Sequence, residues 1–375
     1  MLRYKQLRTK FMVSNFLFYQ PVKIFFGEGK LAKLDEVLAQ MGIERAVLVC
    51  DSFFAAKGQA LCENSSRIHA VFAGVEPNPQ LSGAKAAVEL CRQHNAQAVI
   101  GMGGGSSIDT AKFTAAIAMG EHAPEEYYQG LPFPENRLKI VAIPTTSGTG
   151  SEVTQVSVMN NGKEKKTINN PAFMPTAAVI DPELMYSVPP RTTMITGLDA
   201  LSHALEGYWS KNHQPLTDLC AIEAVRYVLG NLERAYQNGG DKEARNNMAY
   251  AALLAGLTFG QPKTAASHAC SYPLSMDYHL PHGEACAFTL DSFVRINADE
   301  RLEALCVAVG LKNTEELAER IRDLKALAGL RKTLGDLGDV DVDKLAKDCA
   351  AHPLMNNNPV AMDASALKAM FEALR

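Results

Sequence analysis

The sequence predicts an α/β chain in two parts: a parallel sheet flanked by helices, followed by an all-helical half. Three observations carry that expectation. Short β-branched runs alternate with helix-periodic segments as far as Asp181, the pattern of strands joined by helical crossovers. Two of those runs end in glycine- or hydroxyl-rich turns, which in open α/β sheets lie where ligands bind. Beyond the Pro182–Pro190 segment nearly every stretch has the helical apolar period. At 375 residues, and with roughly 150 residues per domain, two domains are expected, divided between Asp181 and Pro190. They span residues 15–185 and 186–375.

In chain order, residues 1–14 read as a short basic extension. Polar Ser14, Asn15 and Gln20 interrupt any secretory apolar core. VKIFF (22–26) is the first strand, AVLVC (46–50) the second and IHAVFAGV (68–75) the third, closed by the Pro77-Asn78-Pro79 turn. LSGAKAAVELCRQH is a helix, AQAVIGMGGG a buried strand, SSIDTAKFTAAIAMG a helix and KIVAIPTT another strand. The second half holds helical runs such as GLDALSHALEGYWS, DLCAIEAVRYVLGNLERAY and EARNNMAYAALLAGLTFG.

A net charge of −4 presents no general basic surface to nucleic acid. No stretch of about twenty uncharged apolar residues is present to span a membrane. The eight cysteines are scattered without a CxxC pair, as expected of reduced thiols in a cytoplasmic protein.

Gly103-Gly104-Gly105-Ser106-Ser107 joins a strand to a helix start. Glycines let the backbone approach a ligand, and the free N–H groups of a helix N-terminus suit a phosphate or pyrophosphate. The segment is neither GxGxxG nor a Walker loop, and taken alone it also reads as a tight turn with a serine cap. Pro144-Thr145-Thr146-Ser147-Gly148-Thr149-Gly150 follows a neighbouring strand. Two such loops together favour a nucleotide crevice.

Asp199 and His203 are four apart in a helical stretch and so share a face. His268 and His282 lie on separate elements, divided by Pro273 and Pro281. Any one of these histidines alone reads as a structural residue. Together the carboxylate and three imidazoles form a donor set suited to Fe2+ or Zn2+. The other histidines, including His352, lack this context, with His279 the one exception by its closeness to His282.

GGGSSIDTAK, PTTSGTGSEVT, GLDALSHALEGY and PHGEACA, in this order, resemble the signature segments of the iron-containing (group III) alcohol dehydrogenase family. The resemblance covers nearly the whole chain. It implies an α/β N-terminal dinucleotide-binding domain with a parallel sheet plus an all-helical C-terminal domain, a homo-oligomer, and an active site in the cleft between them. It places one divalent metal, Fe2+ or Zn2+, on Asp199, His203, His268 and His282. Asn78, Gly105, Ser106, Thr145, Thr146 and Lys165 become cofactor contacts, beside the Gly104 and Ser107 of the glycine turn. Asp51, ending the second strand, stands where a carboxylate binds ribose hydroxyls and repels a 2′-phosphate, so NAD(H) is expected. The implied chemistry is hydride transfer between that cofactor and a metal-polarised carbonyl.

Two departures narrow the substrate. Where many members of the family carry HxxxHP, this chain has His268-Ala269-Cys270-Ser271-Tyr272-Pro273, so Tyr272 replaces a second histidine. Lys263-Thr264 stands where small residues are usual. With SYPL and HALEGYWS, these resemble the phosphonoacetaldehyde and sulfoacetaldehyde reductase branch. Lys263 is then expected to hold an anionic head group, with Arg191 a second candidate, while the amides of MNNNP (355–359) either close the pocket or form a turn. The expected activity is reduction of a small anionic aldehyde. The alternatives are a general short-chain primary alcohol dehydrogenase, a glycerol or sugar-phosphate enzyme of the wider superfamily, and a non-catalytic nucleotide- and metal-binding regulator.

Overall fold

In a computed structural model that describes residues 15–162 and 164–375, the first half is built on strands Lys23–Phe26 (β1), Ala46–Asp51 (β2), Ile68–Val75 (β3), Ala98–Gly103 (β4) and Lys139–Pro144 (β5). A polar antiparallel hairpin follows, Val156–Asn161 (β6) with Glu164–Asn169 (β7), and then Ala177–Ile180 (β8). The main sheet has the order β1-β8-β5-β4-β2-β3, every pairing parallel. Parallel strands need crossovers. Four are helical: Leu34–Gln40 (α1), Ala55–Asn64 (α2), Leu81–Gln93 (α3) and Gly105–Ile117 (α4), with the short Pro124–Gln129 (α5) after α4.

The apolar runs are continuous because both sheet faces are covered. Val47, Val49, Val99 and Ile140 pack with α3, α4 and α5 on one face. Their alternating neighbours Leu48, Cys50, Ile100, Met102 and Val141 pack with α1 on the other. The second half is helical: Pro190–Trp209 (α6), Pro215–Gln237 (α7), Lys242–Phe259 (α8), Ala266–Asp277 (α9), His282–Ile296 (α10), Glu300–Ala308 (α11), Thr314–Leu327 (α12), Val342–Ala351 (α13) and Ala364–Glu372 (α14). The fold is thus the expected α/β half plus helical half. The extension expected at residues 1–14 lies outside the described residues.

A shared cluster joins the halves: Val22, Val153, Ala178, Ile180 and Met185 from the first pack on Ala249 and Leu253 of α8. The contact includes backbone. Gly150, at φ +59°, approaches α8 so closely that a Cβ there would stand 2.5 Å from the Gly256 Cα.

A buried ionic cluster ties α4 to the second loop and the hairpin. Lys112 Nζ donates to Ser151 Oγ at 2.7 Å and to the Val156 carbonyl at 2.8 Å. Asp109 accepts from Ser151 Oγ at 2.7 Å and from the Val158 N–H at 2.9 Å. Burial lowers the Lys112 ammonium to about 8, against the pull of Asp109 and Glu152. Such a group is kept charged by its bonded partners. The consequence is positional: the glycine turn that begins α4 and the Thr145–Ser151 loop form one rigid unit.

Candidate active site

Along α6, Asp199, His203 and Glu206 follow at spacings of four and three, one buried face of the helix. Glu206 is fully buried. Its Oε1 accepts from the N–H groups of Ala265 (3.2 Å), Ser267 (2.7 Å) and His268 (3.2 Å) at the start of α9, and its Oε2 meets His268 Nδ1. The unpaired amides of a helix N-terminus are therefore satisfied by a carboxylate from another helix. With Nδ1 held, the His268 Nε2 faces the cluster centre.

The four predicted metal residues converge there. Asp199 Oδ1 is 3.7 Å from His268 Nε2 and 3.8 Å from His282 Nε2, the first residue of α10. Asp199 Oδ2 is 3.9 Å from His203 Nδ1, and the Nε2 atoms of His203 and His268 are 3.0 Å apart. His203 is held by stacking on Phe259, ring centroids 4.1 Å apart. Cys286, one turn after His282, joins them: ligand atoms of Asp199, His268, His282 and Cys286 lie within 4.8 Å of one another. Burial, reinforced by His268, holds the His203 imidazole well below its ordinary pKa. Burial also carries His282 down to about 3, although its side chain is 44% exposed to the cleft. Neutral imidazole is the ligating form.

The donor set fits a divalent cation. Asp199 is 2% exposed, yet its Oδ1 has no hydrogen-bond partner, and neither does His203 Nδ1. A buried carboxylate left without a donor is costly, and a cation among three imidazoles resolves it.

The cofactor candidates gather at the carboxyl ends of β2, β3, β4 and β5. Asp51 Oδ1 accepts the N–H groups of Phe53 and Phe54 at 2.9 and 3.2 Å. Its Oδ2 faces Gly103, where a Cβ would lie 3.3 Å from it and 2.3 Å from Ser107 Oγ. Gly104 faces Thr146, Gly105 faces Thr149, and the Thr145 N–H donates to the Gly103 carbonyl at 3.0 Å. Ser106, in the first turn of α4, is partly open and Ser107 is buried. Lys165 on β7 donates to Asn78 Oδ1 at 3.3 Å. Thr167 on the same strand meets the Tyr272 hydroxyl, so the hairpin links Asn78 on the cofactor side to α9.

Tyr272, one turn beyond His268, reaches across to the hairpin: its hydroxyl hydrogen-bonds Thr167 Oγ1. Its ring lies on His352, centroids 4.2 Å apart. Burial raises the phenol above its ordinary pKa, with Thr167 and His268 opposing. Lys263 is exposed on a left-handed turn (φ 67°) between α8 and α9. Arg191 is engaged elsewhere, its guanidinium 2.8 Å from the buried Glu284 carboxylate. Asn357 of MNNNP spends its amide on the Thr264 carbonyl at 2.8 Å, bracing the Lys263 turn. His279 is exposed and outside the cluster.

Glu206, Cys286, Thr167 and His352 are site residues that sequence reading did not single out. Glu206 had a signal, an acid three residues after His203 on an apolar helix, and Cys286 had another, four residues after His282. Thr167 had none, because its strand was not recognised. His352 carries no signal either, lying apart in sequence from the metal pattern.

The sequence matches two family models. The model described as iron-containing alcohol dehydrogenase covers residues 21–182. The one described as Fe-containing alcohol dehydrogenase family, C-terminal, covers residues 193–374. Long-chain-alcohol dehydrogenase 1 of Geobacillus thermodenitrificans is 33% identical over 92% of this chain and 93% of its own. NAD-dependent methanol dehydrogenase of Bacillus methanolicus is 32% identical over 91% and 95%. The crystal structure of sulfoacetaldehyde reductase from Bifidobacterium kashiwanohense in complex with NAD+ superposes with a TM-score of 0.93 at 40% identity, covering 96% of this chain and 99% of that one.

Proposed function

The chain belongs to the iron-containing alcohol dehydrogenase family, and we propose that it is an NADH-linked reductase of a small anionic aldehyde, sulfoacetaldehyde or phosphonoacetaldehyde. The observation that carries the substrate reading is Lys263. It is a cation with no ion pair among the described residues, on the turn that opens α9 five residues before His268. The likeness to sulfoacetaldehyde reductase supports the same reading.

In this reading residues 15–185 hold the nucleotide and residues 186–375 the metal. Asp199, His203, His268 and His282 would hold a divalent cation, which would supply Lewis acidity when bound. The nicotinamide supplies hydride. This chain's residues do the rest. The N–H groups of Gly105 and Ser106 receive the pyrophosphate, with Ser107 held beneath them by its N–H bond to the Gly104 carbonyl. Thr145 and Thr146 line the pyrophosphate, and Asp51 Oδ2 takes the ribose hydroxyls. Lys165 and Asn78 hold each other at the mouth. Tyr272, kept protonated, aligns the substrate from one wall, and its hydroxyl, backed by Thr167, can pass a proton to the product oxygen as hydride arrives. We further propose a cytoplasmic homo-oligomer. Its eight cysteines are free, no helix among the described residues is long and apolar enough to cross a membrane, and β1 leaves an open sheet edge with Ile24 exposed.

Steady-state reduction of sulfoacetaldehyde, phosphonoacetaldehyde and propanal tests the substrate. The anionic aldehydes should show the higher kcat/KM. Lys263→Ala should raise KM for them by about tenfold or more, the scale of a charge-assisted hydrogen bond, and leave propanal unchanged. An equal rise for propanal removes the anion role from Lys263, and a wild-type preference for propanal returns the chain to general alcohol dehydrogenases. For the cofactor, Asp51→Gly should improve NADPH relative to NADH by about tenfold. An unchanged ratio refutes Asp51 as the discriminating group.

A further inference from the structure

We propose that His352 is a second substrate-binding residue, donating a hydrogen bond from Nε2 to the anionic head group of the aldehyde. The proposal rests on the anionic-aldehyde reading above and identifies a residue for it outside the metal and nucleotide sets.

His352 ends α13 and caps the 3-10 turn Pro353–Asn357. Its Nδ1 accepts the Leu354 N–H at 3.3 Å. A backbone N–H aimed at Nδ1 leaves the proton of the neutral ring on Nε2. The turn thus fixes a tautomer that is a donor at the outer nitrogen. Among the described residues that nitrogen has no hydrogen-bond partner, and it is absent from the sealed polar atoms of the interior. An uncommitted donor on a half-buried ring is available to a ligand.

Its place matches the length of the substrate. A two-carbon aldehyde with its oxygen at the Asp199–His268 cluster carries its anion roughly 4–5 Å farther out, and a donor to that anion lies about 3 Å beyond. Tyr272 stands one helical turn from His268, about 5–6 Å between Cβ atoms. His352 packs on the Tyr272 ring, centroids 4.2 Å apart. Its neighbour is thus Tyr272 on the substrate wall rather than a metal residue, which suits the charged end of the substrate and not the carbonyl end. The 3-10 turn it caps also carries Asn357, bonded to Thr264 beside Lys263, so the two anion contacts are braced by one segment.

Two substitutions separate binding from capping. His352→Asn keeps an oxygen to accept the Leu354 N–H, as cap residues do, and removes the outer donor. His352→Gln returns a donor near the position of Nε2. With metal-loaded enzyme, His352→Asn should raise KM for sulfoacetaldehyde and phosphonoacetaldehyde about ten- to a hundredfold, far more than for propanal, with metal content and NADH affinity unchanged. His352→Gln should recover part of the loss. A KM for anionic aldehydes that is unchanged in His352→Asn, or that rises equally for propanal, overturns the proposal. Failure of the underlying reading is separate and visible earlier: wild-type enzyme would then show no preference for anionic aldehydes before any variant is made.

Discussion

Asp199→Asn is expected to yield folded protein that retains little metal and loses activity by about a thousandfold or more, the scale of several kcal/mol of electrostatic stabilisation. The substitution changes one oxygen to an amide and removes the carboxylate from the predicted ligand set of one carboxylate and three imidazoles. The wild-type carboxylate is 2% exposed with one oxygen unpartnered, an arrangement stable only with a cation to face. Asparagine is neutral, so a metal-free site costs less, while the cation loses its anionic ligand and must share three neutral ones. Metal content after dialysis is the primary measurement and activity the second. Full metal occupancy in Asp199→Asn would remove Asp199 from the ligand set.

Glu206 carries the other large effect, split between folding and metal. Glu206→Ala should destabilise the protein by about 3–5 kcal/mol, since three amides and an imidazole lose a buried partner. Glu206→Gln should recover much of that, because its amide oxygen still accepts the N–H groups of Ala265, Ser267 and His268. Its NH2 group cannot accept from His268 Nδ1, so the imidazole loses its orientation. Metal affinity should then fall about ten- to a hundredfold, as when a partner behind a metal-bound histidine is removed. Denaturant unfolding and a competitive metal titration read the two separately. Wild-type metal affinity in Glu206→Gln would reduce Glu206 to a helix cap.

Much of the fold was legible because each signal is local. AVLVC reads as a strand because both of its faces are buried, and the glycine turn reads as a ligand loop because Gly103 has no room for a Cβ. The hairpin escaped for the opposite reason. EKKTIN has no apolar face, and its strand is held by pairing with β6, which the Lys112–Asp109 cluster anchors in turn. With the hairpin went Thr167 and the direction of Tyr272. Of the site, spacing on one helix gave Asp199 and His203. The family pattern was needed for His268 and His282, because nothing in the sequence says that α9 and α10 begin at the same point in space. Glu206 and His352 act through contacts across 62 and 80 residues (268 − 206 and 352 − 272), and no periodicity reports a contact of that kind. Arg191 illustrates the converse error: a cation beside two prolines looks free until Glu284 is found beneath it.

The glycine-to-glycine approach of Gly150 and Gly256 has a consequence for the range of molecules the cleft can admit. Two backbones that touch without side chains leave no cushion to compress and no rotamer to swing aside. At that point the spacing of the two halves is a fixed gauge, like the jaw of a caliper locked at one setting. Broadening the substrate range by spreading the jaws would have to break this joint first. Breadth is more readily altered by trimming Tyr272, His352 or Lys263, the side chains mounted on the jaw faces.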